Sequence, residues 1–240
     1  MERVRRLTQP CLMNENETGR QPVPDRAPQT PNEWGILVII SFFFALFLVL
    51  ELAREFTVAK LSVPFFLISW VALLILHEFG HALMARLLGW RVTLVSIGSG
   101  MVRARATVLG MPVEFRTIPL SGFVLPRPGN LVAPRLKQFL IFAAGPGIEL
   151  LAVALLIFLI GPDAILRRTP DVGLIASQSF CVAALFGALF NLIPFPHRTA
   201  EGTAWSDGLG MLLCWGIPDD VFRRQMEGEK GDPANSIRPY

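Results

Sequence analysis

Two histidines and a glutamate stand close together in His77-Glu78-Phe79-Gly80-His81. Helical residues four apart share one face, so both imidazoles can converge on one zinc ion, whose bonds to histidine nitrogen are about 2.0–2.1 Å. Glu78 lies one step round the helix, where its carboxylate can accept a proton from an attacking water. The spacing predicts His77 and His81 as zinc ligands, Glu78 as the catalytic base, and peptide hydrolysis as the reaction. The alternative is two interfacial histidines beside a salt-bridged glutamate at a helix end.

The elements that must position these residues belong to a membrane protein. Of the 240 residues, 52% are hydrophobic and 17% are charged, whereas soluble domains have about 25% charged residues. A membrane-spanning helix needs roughly 20 apolar residues. The apolar runs predict four spans, at about 34–52, 61–89, 138–161 and 172–195. The predicted fold class is therefore an all-α polytopic membrane protein.

Lys and Arg residues are distributed unevenly around these runs. Five lie before the first run and five follow the last run. The three connections contain two, eight and two, when Arg86 near the end of the second run is counted with the central connection. Because basic residues collect on the cytoplasmic side, both termini are predicted to be cytoplasmic, in an integral multi-pass protein of the cell (inner) membrane. A transmembrane metalloprotease domain is predicted at 34–216, between a disordered tail at 1–33 and a polar tail at 217–240. The scattered basic residues, with a net charge of +3, give no indication of nucleic-acid binding.

The third zinc ligand is not decided by the residues alone. His197, Glu201 and Asp207 directly follow the last run, which is predicted to end on the same side of the membrane as His77 and His81. Glu149 lies near the middle of the third run and is a less natural ligand. The nearby Gly145-Pro146-Gly147 is typical either of a helix broken beside a water cavity or of a simple proline kink.

The central loop contains two segments in which apolar and polar residues alternate. Val102, Ala104, Ala106 and Val108 alternate with polar residues, and a second alternation begins after Leu109-Gly110-Met111. Alternation on both sides of a glycine turn is typical of a β-hairpin. A small hairpin or sheet is therefore predicted within 91–124.

Four motifs follow one another along the chain. They are His77-Glu78-x-x-His81, Pro119-Leu120-Ser121-Gly122-Phe123-Val124, Ala144-Gly145-Pro146, and Asn191-Leu192-Ile193-Pro194 with Asp207-Gly208. Over about residues 65–213, this order resembles the site-2 protease family of intramembrane zinc metalloproteases.

The resemblance implies Asp207 as the third ligand of one zinc ion per chain, with Asn191, Pro194 and Gly122 near the substrate. It also implies that the hairpin is a membrane-associated sheet. Such a sheet can pair with an unwound segment of a transmembrane protein or peptide substrate in the lipid bilayer. Regulated intramembrane proteolysis is the process that the resemblance implies.

Three departures from the family pattern are visible. Ser121 replaces a glycine, Glu149 replaces a residue that is commonly Asn, and the longer spacing from Pro194 to Asp207 contains His197 and Glu201 as accessory candidates. Glu149 has two interpretations, a filler of a polar gap at the helix break or a contact or proton relay of the site.

Two alternatives remain open for the function. One is the other multispan type of zinc peptidase, with a glutamate as the third ligand. The other is a catalytically silent membrane scaffold or transporter with the same fold. Within the family, the chain is expected to be a short member without a PDZ or nucleotide-binding domain.

Overall fold

The computed structural model describes residues 42–51, 53–54, 57–199 and 202–227, without the side chains of residues 197–199 and 202–203. Helix α1 (Phe42–Glu51) is apolar but shorter than a membrane span, and it belongs to a separate unit of the chain. Part of the predicted span at 34–52 and the whole predicted tail at 1–33 lie outside the described residues.

The second unit contains helices and two antiparallel sheets of two strands each. Its elements are, in order, a 3-10 turn (Val58–Leu61), α2 (Ser62–Leu87), β1 (Arg91–Val108), β2 (Met111–Arg127), α3 (Pro134–Ile160), α4 (Pro162–Leu166), α5 (Val172–Leu192), β3 (Pro196–Thr199), β4 (Gly202–Trp205), α6 (Asp207–Leu213), a 3-10 turn (Cys214–Gly216) and α7 (Asp219–Glu227). Among the described residues, three helical segments are long and apolar enough to cross a membrane: Val58–Leu87, Pro134–Ile160 and Val172–Leu192. These segments confirm the helices predicted at 61–89, 138–161 and 172–195, and β1 with β2 confirms the predicted hairpin.

The three long helices pack through small and aliphatic residues. Leu73 of α2 and Val153 of α3 meet Cys181, Ala183 and Ala184 of α5 in one buried cluster. Large apolar side chains on the outer faces are exposed, as is expected of helices that face lipid. Examples are Ile68, Leu151, Phe158, Phe186 and Leu189.

Local signals in the sequence account for the helix ends. Helix α3 begins with Pro134, whose missing N–H is no loss in a first turn, and ends before Gly161 at φ +92°. The helix continues through Pro146, so this proline lies within α3 and does not end it. Asp171 caps α5 by accepting a hydrogen bond from the Leu174 amide at 2.8 Å.

The central hairpin is bent back on itself. Val108 pairs with Met111 across a turn in which Leu109 and Gly110 both have positive φ, the geometry of a tight two-residue hairpin turn. Val95 pairs with both Val124 and Val113, so this part of β1 lies between two segments of β2. The bend gives the hairpin a buried core, which packs against Ala82 of α2.

A short helix lies within the segment that the sequence predicted as a polar tail. In α7, Phe222 is buried and makes an edge contact with Trp90, the residue before β1. Arg135 at the start of α3 forms an ion pair with Asp219 at 2.8 Å. Residues 217–227 are therefore packed against the start of the hairpin and of α3, and residues 228–240 lie outside the described part of the chain.

Candidate metal centre

The His-Glu-x-x-His residues lie well inside α2, beginning ten residues before its last residue, Leu87. The Nε2 atoms of His77 and His81 are 3.1 Å apart, and the two rings meet edge to face at an interplanar angle of 82°. Both side chains are buried. One face of the helix therefore presents two converging nitrogen atoms, as the spacing of four residues predicts.

Asp207 joins the two histidines from α6. Its Oδ2 lies 3.0 Å from Nε2 of His77, and its Oδ1 lies 3.3 Å from Nε2 of His81. Burial raises the pKa of the Asp207 carboxyl, but the two histidines lower it more, so its pKa stays below the usual range. Asp207 is thus a buried carboxylate held between two imidazoles.

The loop before Asp207 explains how the long spacing from Pro194 is accommodated. Strands β3 and β4 pair from Pro196 with Trp205 to Thr199 with Gly202, so the additional residues form a small hairpin. Ser206 closes its base, because its Oγ accepts from the Phe195 amide at 3.1 Å and donates to the Ile193 carbonyl at 2.7 Å. The same Oγ caps α6, which begins at Asp207.

These three residues fit a zinc ion. Their ligand atoms all lie within 4.8 Å of one another. In a tetrahedral zinc site with bonds of about 2.0–2.1 Å, ligand atoms lie about 3.3 Å apart, close to the three distances observed here. The buried Oδ2 of Asp207 has no hydrogen-bond partner among the described residues. A buried carboxylate whose oxygens face two imidazole nitrogens is a donor set that a divalent cation satisfies.

The second nitrogens of the histidines face α3. Nδ1 of His81 donates to the carbonyl of Ile141 at 2.6 Å. A carbonyl oxygen only accepts, so we assign the His81 proton to Nδ1, which leaves the lone pair of Nε2 directed at the site. Nδ1 of His77 lies 3.3 Å from Oε2 of Glu149, which is also buried.

Two glycines line the site at very close range. A Cβ at Gly145 of α3 would overlap Nε2 of His81 and lie 2.7 Å from Nε2 of His77. A Cβ at Gly122 of β2 would lie 2.6 Å from Oε1 of Glu78, which is itself buried. The strand at Gly122 therefore passes directly against the predicted base.

The other predicted residues lie nearby in sequence but differ in their contacts. The Asn191 side chain donates to the Gly187 carbonyl of its own helix at 3.1 Å, and Pro194 is exposed after the end of α5. The side chain of His197 and the whole of Glu201 lie outside the described residues. Sequence reasoning missed the Ile141 carbonyl, which has no residue-type signal, and assigned no contact to Gly145.

Comparisons with known proteins find a peptidase family and two bacterial relatives that are similar to this chain. Residues 65–169 match the model of peptidase family M50, a range that contains the two histidines but ends before Asp207. An Escherichia coli protein, the regulator of sigma-E protease RseP, is 33% identical over 192 residues, which cover 72% of this chain and 38% of that protein. A Campylobacter jejuni protein named as zinc metalloprotease Cj1068 is 30% identical over 141 residues, covering 50% of this chain and 38% of the relative. The chain spans well under half the length of both relatives.

Proposed function

We propose, on the premise that this chain belongs to the site-2 protease family (peptidase family M50), that it is an intramembrane zinc metalloendopeptidase. Its substrates would be membrane proteins. It would hydrolyse peptide bonds in or near their transmembrane segments, in regulated intramembrane proteolysis. One observation carries this proposal. A buried group of His77, His81 and Asp207 includes two residues of a helix that is long and apolar enough to cross a membrane. Ionisable residues within such helices are costly and usually functional.

His77, His81 and Asp207 would hold one zinc ion per chain. When bound, zinc supplies Lewis-acid chemistry, polarising the scissile carbonyl and making water a better nucleophile. Glu78 would take a proton onto its carboxylate from the attacking water and then deliver it to the leaving amine nitrogen. The burial of Glu78 keeps bulk water from competing for that proton.

The substrate must reach Glu78 with its backbone accessible. In a helix, the carbonyl of the scissile bond is engaged in a hydrogen bond, so the substrate segment has to unwind. We propose that the strand around Gly122 receives this extended segment, because it lies against Glu78 and strand addition supplies backbone partners. Asn191 and Pro194, at the end of α5, are proposed to contact the same segment.

We also propose a fourth span at about 34–52 and a cytoplasmic location for both termini in the cell (inner) membrane. The uneven distribution of Lys and Arg supports this orientation. With an even number of spans, the basic central loop and both tails share one side.

The replacement Glu78→Gln tests the proposal. It keeps the shape of the side chain but removes the proton acceptor, so cleavage is expected to stop while zinc stays bound in a one-to-one ratio. Membrane proteins from cells that express wild type or Glu78→Gln are compared by quantitative proteomics, and zinc in the purified proteins is measured by mass spectrometry. The matched control is Glu227→Gln, the same exchange at an exposed residue of α7.

Two results would contradict the proposal. Substrate cleavage by Glu78→Gln at the wild-type rate excludes Glu78 as the base. Wild-type protein purified without zinc, in the absence of chelators, favours a silent scaffold or transporter instead.

A further inference from the structure

Glu149 is a buried carboxylate that the proposed reaction does not use. It lies in α3, three residues after Pro146, and only 3% of its surface is exposed. A Cβ at Gly187 of α5 would lie 3.1 Å from its Oε1, while its Oε2 lies 3.3 Å from Nδ1 of His77. The carboxyl group is thus enclosed between two neighbouring helices, with an imidazole nitrogen 3.3 Å from one of its oxygens.

We propose that Glu149 is a positioning residue that holds the His77 imidazole with Nε2 directed at the metal, an inference that rests on the proposed zinc site. The geometry makes Glu149 a partner of the ligand and not a ligand itself. Nε2 of His77, on the far side of the ring from Nδ1, is the atom that meets Asp207 and His81. Among the described residues, the group whose ligand atoms converge within 4.8 Å does not include Glu149.

The role follows from what each atom can donate or accept. A carboxylate oxygen accepts a hydrogen bond from an imidazole N–H, so the pairing of Oε2 of Glu149 with Nδ1 of His77 places the imidazole proton on Nδ1. Nε2 of His77 then has a free lone pair, as does Nε2 of His81, whose Nδ1 donates to the Ile141 carbonyl. Neither Nδ1 of His77 nor Oε2 of Glu149 has a hydrogen-bond partner among the described residues, although the two atoms lie 3.3 Å apart. A small rotation of the ring that aligns these two atoms satisfies both.

A carboxylate in this position does more than fill a polar gap. Carboxylate partners of zinc-bound histidines fix the tautomer and the orientation of the ring, and their loss typically costs about 10–100-fold in metal affinity. Helix α3 would then support both histidines, His81 through a backbone carbonyl and His77 through Glu149. Oε2 of Glu149 gives Nδ1 of His77 an acceptor that an apolar residue at this position would not supply.

The test measures zinc affinity and does not depend on cleavage. Purified wild type, Glu149→Leu and Glu149→Gln are titrated with zinc against a chromophoric chelator, and the visible spectrum of each cobalt-substituted protein is recorded. Glu149→Leu removes the acceptor without leaving a buried charge, and zinc affinity is expected to fall about 10–100-fold with an altered cobalt spectrum. In Glu149→Gln the amide oxygen still accepts from Nδ1, so affinity is expected to fall by about tenfold or less. Ser179→Ala, which removes a buried hydroxyl bonded to Ile175 of its own helix, is the control and is expected to bind zinc as wild type does.

The outcomes separate this inference from the proposed function. Wild-type affinity and cobalt spectrum in Glu149→Leu, together with loss of zinc in His77→Ala, would overturn the role of Glu149 alone. Equal and complete loss of zinc in Glu149→Gln and Glu149→Leu would also overturn it, because that pattern identifies a direct ligand. Retention of zinc by His77→Ala would instead contradict the proposed metal site itself.

Discussion

Replacement of Gly145 by alanine is expected to disrupt the metal centre while leaving α3 folded. A Cβ at this position would lie 2.7 Å from Nε2 of His77 and still closer to Nε2 of His81. Carbon and nitrogen atoms in contact normally lie about 3.5 Å apart, so the imidazoles or the helix must move by about 0.8 Å or more. Catalytic and metal sites tolerate errors of only about 0.5 Å.

The expected result is a large functional loss with little change in stability. Zinc affinity should fall about 10–100-fold or more, and a displacement of this size typically costs about 100-fold in rate. Zinc binding is measured by competition with a chelator, and unfolding by the loss of helical circular dichroism on heating.

The chain offers a matched control two residues further along the same helix. A Cβ at Gly147 would have no atom within 4 Å, so Gly147→Ala should keep wild-type zinc affinity. Alanine in a helix interior is favoured over glycine by about 0.5–1 kcal/mol, so this variant should unfold at an equal or higher temperature. Wild-type zinc affinity and cleavage in Gly145→Ala would refute the argument that Gly145 keeps the space beside the two Nε2 atoms open.

Two further substitutions separate metal binding from catalysis. Asp207→Ala removes one of the three proposed zinc ligands and should lower the zinc content of the purified protein well below one per chain, as measured by mass spectrometry; full occupancy would point to another third ligand. Gly122→Ala would bring a Cβ to 2.6 Å from Oε1 of Glu78, so cleavage should be lost while zinc is retained. Normal cleavage by Gly122→Ala would show that the strand can move away from Glu78.

The helical part of the fold was predictable because its signals are local. Uninterrupted apolar runs indicate spanning helices, and the spacing of His77 and His81 alone places two imidazoles on one face. The alternation of apolar and polar residues around Leu109-Gly110 indicated a hairpin, because this signal also lies in neighbouring residues. The bend that brings Val95 between Val124 and Val113 was not predictable, because several shifts of register produce it and none has a residue-type signal.

The choice of Asp207 as the third ligand could not be made from local sequence patterns alone. His197, Glu201 and Asp207 all follow the last apolar run, and the residues alone did not rank them; the family resemblance indicated Asp207. The structure shows a physical reason for its geometry, since Ser206 caps α6 and closes the inserted hairpin directly before Asp207. The partner of His81 could not be found at all, because every residue has a carbonyl and only the packing of α3 selects that of Ile141.

The contact between α2 and α3 accounts for Gly80, which occupies one of the two positions that the His-Glu-x-x-His pattern leaves free. A Cβ at Gly80 would lie 2.7 Å from the carbonyl oxygen of Ala144 and 2.9 Å from a methyl group of Ile148, so α2 and α3 approach each other more closely than any larger residue allows. The same close approach brings the Ile141 carbonyl within reach of His81 and Glu149 within reach of His77. Two of the three converging groups come from α2, and the second nitrogen of each imidazole faces a group of α3. We therefore expect a larger residue at Gly80 to disturb the proposed metal centre by increasing the distance between the two helices, although the atoms of Gly80 take no part in the chemistry.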